Sequence, residues 1–204
     1  MSMRAFLMRA GRDARGASAA EFALILPVFL LFFFGLIDAG RFLYEVNRGE
    51  KATQIGARMA VVTDPIAASL KDANYVGTAV GGSTLSQGDR IPAAAFGSLV
   101  CDQTSCAGTA PHPGTAWNEN AFENLLSRMQ QIMPSIEARH LIVEYRGSGL
   151  GYAGNPNGMD ISPLVTVRLT GMNFSPILLF GGNINLPDFS YTLTMEDGDG
   201  DKSN

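Results

Sequence analysis

Sixteen consecutive positions, Phe22 to Ile37, carry no charge and read Phe-Ala-Leu-Ile-Leu-Pro-Val-Phe-Leu-Leu-Phe-Phe-Phe-Gly-Leu-Ile. A helix on the surface of a water-soluble domain shows an apolar stripe and a polar face, and this stretch has no polar face. Extended back to Gly16 it holds 22 residues with Glu21 as the single charge. At about 1.5 Å per residue, a helix of that length covers about 33 Å, enough for a bilayer core. Arg4, Arg9, Arg12 and Arg15 precede the run against one acid, Asp13, and Arg41, Arg48 and Lys51 follow it, a balance that leans towards an N-terminus on the cytoplasmic side. A cleaved secretory signal requires small residues just after its apolar run. Here Asp38-Ala39-Gly40-Arg41 follows the run, and the small residues Gly16-Ala17-Ser18-Ala19-Ala20 precede it. The run is therefore expected to remain as an anchor.

Composition points the same way. Charged residues make up 17% of the 204 positions and hydrophobic residues 46%, against about 25% charged in an ordinary soluble domain. The length allows one domain beside an anchor. With a formal charge of -4 and basic residues scattered rather than clustered with aromatics, the sequence has no electrostatic footprint for a phosphate backbone, and no nucleic-acid partner is expected.

Glu21 needs a physical reason. A carboxylate drawn to the bilayer centre costs up to about 3 kcal/mol. One account places it at the interface, where the N-terminal end of the helix dipole favours an anion. The other supplies a cation. Cutting the chain after Gly16 would create an α-amino group on Ala17, four residues from Glu21, and the same amine on a neighbouring subunit would neutralise the carboxylate within a helical bundle.

Gly16, the small residues behind it, Glu21-Phe22 and the apolar helix together resemble the processing motif of Tad-type (Flp) prepilins. The continuation Ala-Ala-Glu-Phe-Ala-Leu-Ile-Leu-Pro, then Phe-Gly-Leu-Ile-Asp-Ala-Gly-Arg, then Gly-Ala-Arg-Met-Ala at 56 to 60, is similar to TadE/TadG-like pilus assembly proteins over about residues 15 to 62. One stretch departs from the pattern: Lys51-Ala-Thr-Gln-Ile-Gly56 stands where that family more often shows Asn-Ala-Ala-Arg-Glu-Gly. The resemblance implies a minor pilin or pseudopilin taking part in assembly of a Tad (tight adherence) pilus. It implies a place in the bacterial inner membrane with the C-terminal domain in the periplasm. The partners it implies are other pilin or pseudopilin subunits, the Tad inner-membrane assembly platform, membrane lipid and a prepilin peptidase. Gly16 and Ala17 would flank the processing site, although some members of the family keep the anchor uncut. Glu21, Phe22 and Pro27 would serve assembly; Pro27 removes a helical hydrogen bond and needs a neighbour to cover the freed carbonyl. The alternative is a single-span, inner-membrane-tethered envelope protein acting as a binding or secretion accessory domain, with the same topology and an intact Met1.

Beyond the run, apolar or small residues recur at Phe42, Val46, Gly49, Thr53, Gly56 and Ala60, close to helical period. One long helix is predicted to about Val62, ended by Asp64-Pro65. This divides the chain into a basic leader at 1–16, a hydrophobic helix at 17–63 and an extracytoplasmic domain at 64–204. Residues 64–116 read as loops with one or two short elements. Phe122, Leu125, Leu126, Met129, Ile132 and Met133 form one face of an amphipathic helix closed by Pro134. Three alternating segments predict strands: Leu141, Val143 and Tyr145; Val165, Val167 and Leu169; Phe189, Tyr191, Leu193 and Met195. The expected fold class is α+β, a long N-terminal membrane helix continuing into a pilin-like domain with a small antiparallel sheet.

Cys101 and Cys106 bracket Asp-Gln-Thr-Ser, a polar stretch that either closes a disulfide loop in an oxidising compartment or leaves two free thiols. No cofactor or metal is expected: His112 alone adds nothing like a zinc ligand set. The tail Asp197-Gly-Asp199-Gly-Asp201 lacks the distant glutamate of a calcium loop. His112 and His140 are both read as solvent-exposed, neither lies in a catalytic motif, and the chain is not expected to be an enzyme.

Overall fold

The computed structural model describes residues 14–196 and Gly198, with side chains described from Ser18 onward. Most of the leader expected at 1–16, and the acidic residues Asp197, Asp199 and Asp201 of the tail, lie outside the described residues. The protein is an α+β molecule: a long apolar helix followed by a region rich in antiparallel sheet.

Helix α1 covers Ala14–Ala60, 47 residues, and passes through Pro27 without a break. It ends two residues before the predicted Val62. The Val62 amide turns back to Met59 O at 3.1 Å and Thr63 Oγ1 donates to the same carbonyl at 2.9 Å, so a side chain and a tightened turn serve a helix end that Pro65 forbids from continuing. The described residues divide into two compact units, and the division falls within α1: those up to Tyr44 group with Phe174–Ile184, and Glu45–Asn173 group with those from Asn185 onward.

In the larger unit a five-stranded antiparallel sheet is built from β3 (Ser98–Cys101), β4 (Cys106–Thr109), β5 (Leu141–Arg146), β6 (Leu164–Leu169) and β9 (Phe189–Thr194), in the order β4-β3-β5-β6-β9. Two short ladders complete the strands: β1 (Ala79–Val80) with β2 (Ser83–Thr84), and β7 (Asn173–Phe174) with β8 (Ile184–Asn185). Register sets the core. Val143 pairs with Val167, Tyr145 with Val165 and Leu141 with Leu169, and all six are fully buried. The edge position of β9 weakens its predicted face: Phe189 is buried, but Tyr191, opposite Val167, stays 36% exposed because no strand among the described residues lies beyond it.

Helix α2 spans Glu119–Gln130, starting one residue after its cap, Asn118, whose side chain accepts from the Ala121 amide at 3.2 Å. That is an ordinary helix start, one orphan N–H satisfied by a short polar side chain. Phe122, Leu125 and Met129 are buried on its inner face, each stabilising the domain by about 1.5–3 kcal/mol.

The C-terminal half of α1 joins this core along Gly49, Thr53, Gly56 and Ala60, all buried. A β-carbon on Gly49 would meet Cζ of the Phe189 ring at 2.6 Å, and one on Gly56 would meet Met129 Sδ at 2.7 Å. The small residues in the helical repeat are therefore the seam on which the sheet and α2 pack.

Residues 64–116 hold more than the one or two short elements expected among the loops there: four short strands and two 3₁₀ turns. β3 is central enough to hydrogen-bond β4 on one side and β5 on the other. Four residues are too few for alternation to announce a strand, and pairing with β5, some forty residues later, is what fixes them.

Candidate membrane anchor and assembly site

The most apolar window of α1 has a mean hydropathy of 2.5, and none of it is buried by the rest of the protein. It is the one helix among the described residues long and apolar enough to cross a membrane. Phe22 is 62% exposed, and Glu21 and Pro27 are exposed on the same helix. Gly16 and Ala17 lie within the first turn of α1, their surroundings outside the described side chains. The chain thus sets Glu21, Phe22 and Pro27 on one continuous rod and leaves them uncovered.

At the other end of the apolar run the rod meets its own chain. Asp38 is only 7% exposed, because the segment 174–184 folds over it. Asp38 Oδ1 accepts from the Ile177 amide and Oδ2 from the Leu178 amide, both at 2.9 Å. Arg41 Nη1 pairs with Oδ1 at 3.0 Å, and its guanidinium carbon stands 5.1 Å from the centre of the Phe174 ring. Phe42 packs edge-on against Phe174 at 5.6 Å. Gly35, Asp38, Ala39 and Phe42 with Phe174, Pro176 and Leu178 line an open cleft of about 400 Å³. From sequence, Asp38 marked only the end of the run. The signal available was the uncharged stretch Phe174-Ser-Pro-Ile-Leu-Leu-Phe-Gly-Gly-Asn-Ile184, which has no strand alternation and no reason to be apolar in a surface loop.

In the larger unit two buried carboxylates, Glu144 and Asp160, find their partners within the fold. Glu144, 5% exposed, breaks the alternation of β5 by burying a carboxylate beside Tyr145. Arg146 Nε donates to its Oε1 at 2.5 Å and Arg168 pairs with Oε2, so both oxygens are occupied. Asp160, also 5% exposed, accepts the amides of Tyr75, Gly154 and Asn155 at 2.8–2.9 Å and ties the glycine-rich loop together. Among the described residues, no three His, Cys, Asp or Glu side chains gather as metal ligands would. Cys101 and Cys106 are opposite each other across the β3–β4 hairpin and form a disulfide with S–S 2.00 Å. Asp102 closes the turn between them, accepting from the Thr104 and Ser105 amides at 2.8 and 2.9 Å; these bonds hold its carboxyl below the usual carboxylate range.

The reading of His140 as exposed is corrected. It is 6% exposed, because the 3₁₀ turn Ala138–His140 before β5 rotates it out of the strand's alternation. Its Nδ1 accepts from the Glu137 amide at 3.0 Å, and burial, reinforced by neighbouring Arg139, lowers its pKa.

Fold and site together define a protein with, among the described residues, one helix apolar enough to cross a membrane, followed by a sheet-built region. Residues 16–58 match the family model described as TadE-like protein. The matched segment runs from the small residues before Glu21 to the glycine seam of α1, and over it the chain is similar to TadE-like proteins. Neither the curated proteins nor the solved structures returned a match.

Proposed function

We propose that this chain is a minor pilin or pseudopilin of a Tad pilus, anchored through residues 17–63 and presenting residues 64–204 on the periplasmic side of the inner membrane. A prepilin peptidase hydrolyses the Gly16–Ala17 peptide bond, leaving a carboxylate on Gly16 and a free α-amine on Ala17. In the assembled bundle that amine sits against Glu21 of a neighbouring subunit, while Phe22 and the residues around Pro27 pack helix to helix. The pairing removes a desolvation cost of up to about 3 kcal/mol for an unpartnered carboxylate in the bilayer, so it favours the register in which charges meet. The observation that supports this reading is the extent of the TadE-like match, which opens at Gly16 and contains Glu21 within an uncovered apolar helix. The partners are like subunits, the Tad assembly platform in the inner membrane and lipid.

N-terminal sequencing of the protein from its native envelope tests the proposal. A chain beginning at Ala17, and at Met1 when the prepilin peptidase is deleted, is the expected result. An intact Met1 in the presence of the peptidase would favour a tethered accessory domain over a processed pilin.

A further inference from the structure

We infer that the loop Phe174–Ile184 is a second membrane contact, an apolar wedge lying in the headgroup–acyl boundary beside the anchor helix. The inference rests on the reading of α1 as a membrane span, and on three observations of the smaller unit. The loop carries no charge over eleven residues, and beyond the buried Phe174 it turns four large apolar side chains outward: Phe180 is 94% exposed, Leu179 51%, Ile177 45% and Ile184 42%. Its height on the helix is fixed. The Ile177 and Leu178 amides are bonded to Asp38, and Leu178 Cδ1 lies 3.4 Å from where a β-carbon on Gly35 would stand. Gly35 is three residues before Asp38, inside the uncharged run, about 4.5 Å below it along the axis. With the run in hydrocarbon, the loop sits at its edge. Finally, Phe180 holds φ +42°, a left-handed conformation that a bulky residue rarely adopts, and the turn uses it to push the ring away from the protein.

Lipid is the occupant this geometry favours, because the loop is continuous with the lipid-facing surface of α1 at the same depth. Interfacial elements bury an apolar face about 5–10 Å into the headgroup–acyl boundary. Arg41, paired to Asp38 and over the Phe174 ring, stands one turn further out, where a cation belongs at a headgroup level. The wedge gives the anchor a second point of attachment, which opposes rotation of α1 about its own axis.

The test uses the full chain in vesicles of phosphatidylcholine and phosphatidylglycerol, with Trp117→Phe removing the single tryptophan and Phe180→Trp reporting the loop. Expected is blue-shifted emission, poor quenching by acrylamide, and loss of about half the intensity to lipids brominated near the headgroup, with less loss to lipids brominated at mid-chain, as a depth of about 5–10 Å requires. Leu179→Trp in the same background should behave alike, which guards against a local effect of one substitution. Water-like emission quenched by acrylamide and not by bromine overturns the wedge. Shielding from both quenchers that disappears on dilution into excess lipid assigns the loop to a second copy of the chain and overturns the lipid assignment. Alkaline carbonate extraction separates the two levels: a protein that stays in the membrane with its loop reporter exposed to water loses only the wedge, whereas a protein that is extracted loses the anchor reading itself.

Discussion

The ring of Phe189 lies against Gly49 so closely that any β-carbon there would stand 2.6 Å from Cζ. Phe189 is the first residue of the edge strand and is buried, so its ring has little room to move. Gly49→Ala should therefore destabilise the domain by about 1–3 kcal/mol through overpacking, which outweighs the gain of about 1 kcal/mol from replacing a helical glycine. At Gly56 the obstacle is the flexible thioether of Met129 at 2.7 Å, which can swing aside, so Gly56→Ala should be near neutral. Urea unfolding of the full chain in detergent, followed by circular dichroism, distinguishes the two; equal effects would show that the seam is not built on glycine at 49.

Tyr145 is fully buried, and its hydroxyl oxygen accepts the Ile66 amide at 2.9 Å across 79 residues of sequence. Tyr145→Phe keeps the ring and strands a buried N–H, at a cost of about 1–3 kcal/mol. Burial also pushes the Tyr145 phenol well above its ordinary range and that of Tyr75 up to about 12. Ultraviolet titration should show both tyrosines ionising only with or after unfolding.

His140 makes stability depend on pH. A histidine whose folded-state pKa lies below its unfolded value binds fewer protons when folded. Its contribution is complete above the unfolded pKa of about 6.5 and is lost as pH falls through the lower folded value. Protonating Nδ1 would also displace the Glu137 amide that donates to it. The midpoint of urea unfolding should fall as pH drops below about 6.5, and His140→Asn should flatten that dependence. An unchanged slope in the variant would remove His140 as the cause.

Glu21→Ala is expected to leave the protein in the membrane fraction and to deplete it from sheared surface fibres. A pairing of about 1.4 kcal/mol per subunit corresponds to about a tenfold change in incorporation, measurable by immunoblot of the two fractions. Normal incorporation of the variant would remove the charge pairing while leaving the anchor untouched.

The elements legible in the sequence were those with a local cause. Phe22 to Ile37 announced a long apolar helix because the run carries no charge and no polar face, and Phe122, Leu125 and Met129 announced α2 through a helical period that holds whatever they pack against. The strands at Leu141, Val165 and Phe189 showed themselves by alternation. β3 was hidden because Ser-Leu-Val-Cys is too short to carry a period, and His140 was misread because a single 3₁₀ turn decides whether it continues the strand's alternation.

The sequence by itself determined that the chain has one apolar rod with an acid near its start, and that a sheet-bearing domain follows, since charge, hydropathy and period act between neighbours along the chain. Only the tertiary structure decided that Gly49 and Gly56 are contact points rather than flexible ones, and that Asp38 is capped by amides 139 and 140 residues away. A carboxylate finds such donors through closure of the whole fold, and no spacing along the chain encodes it.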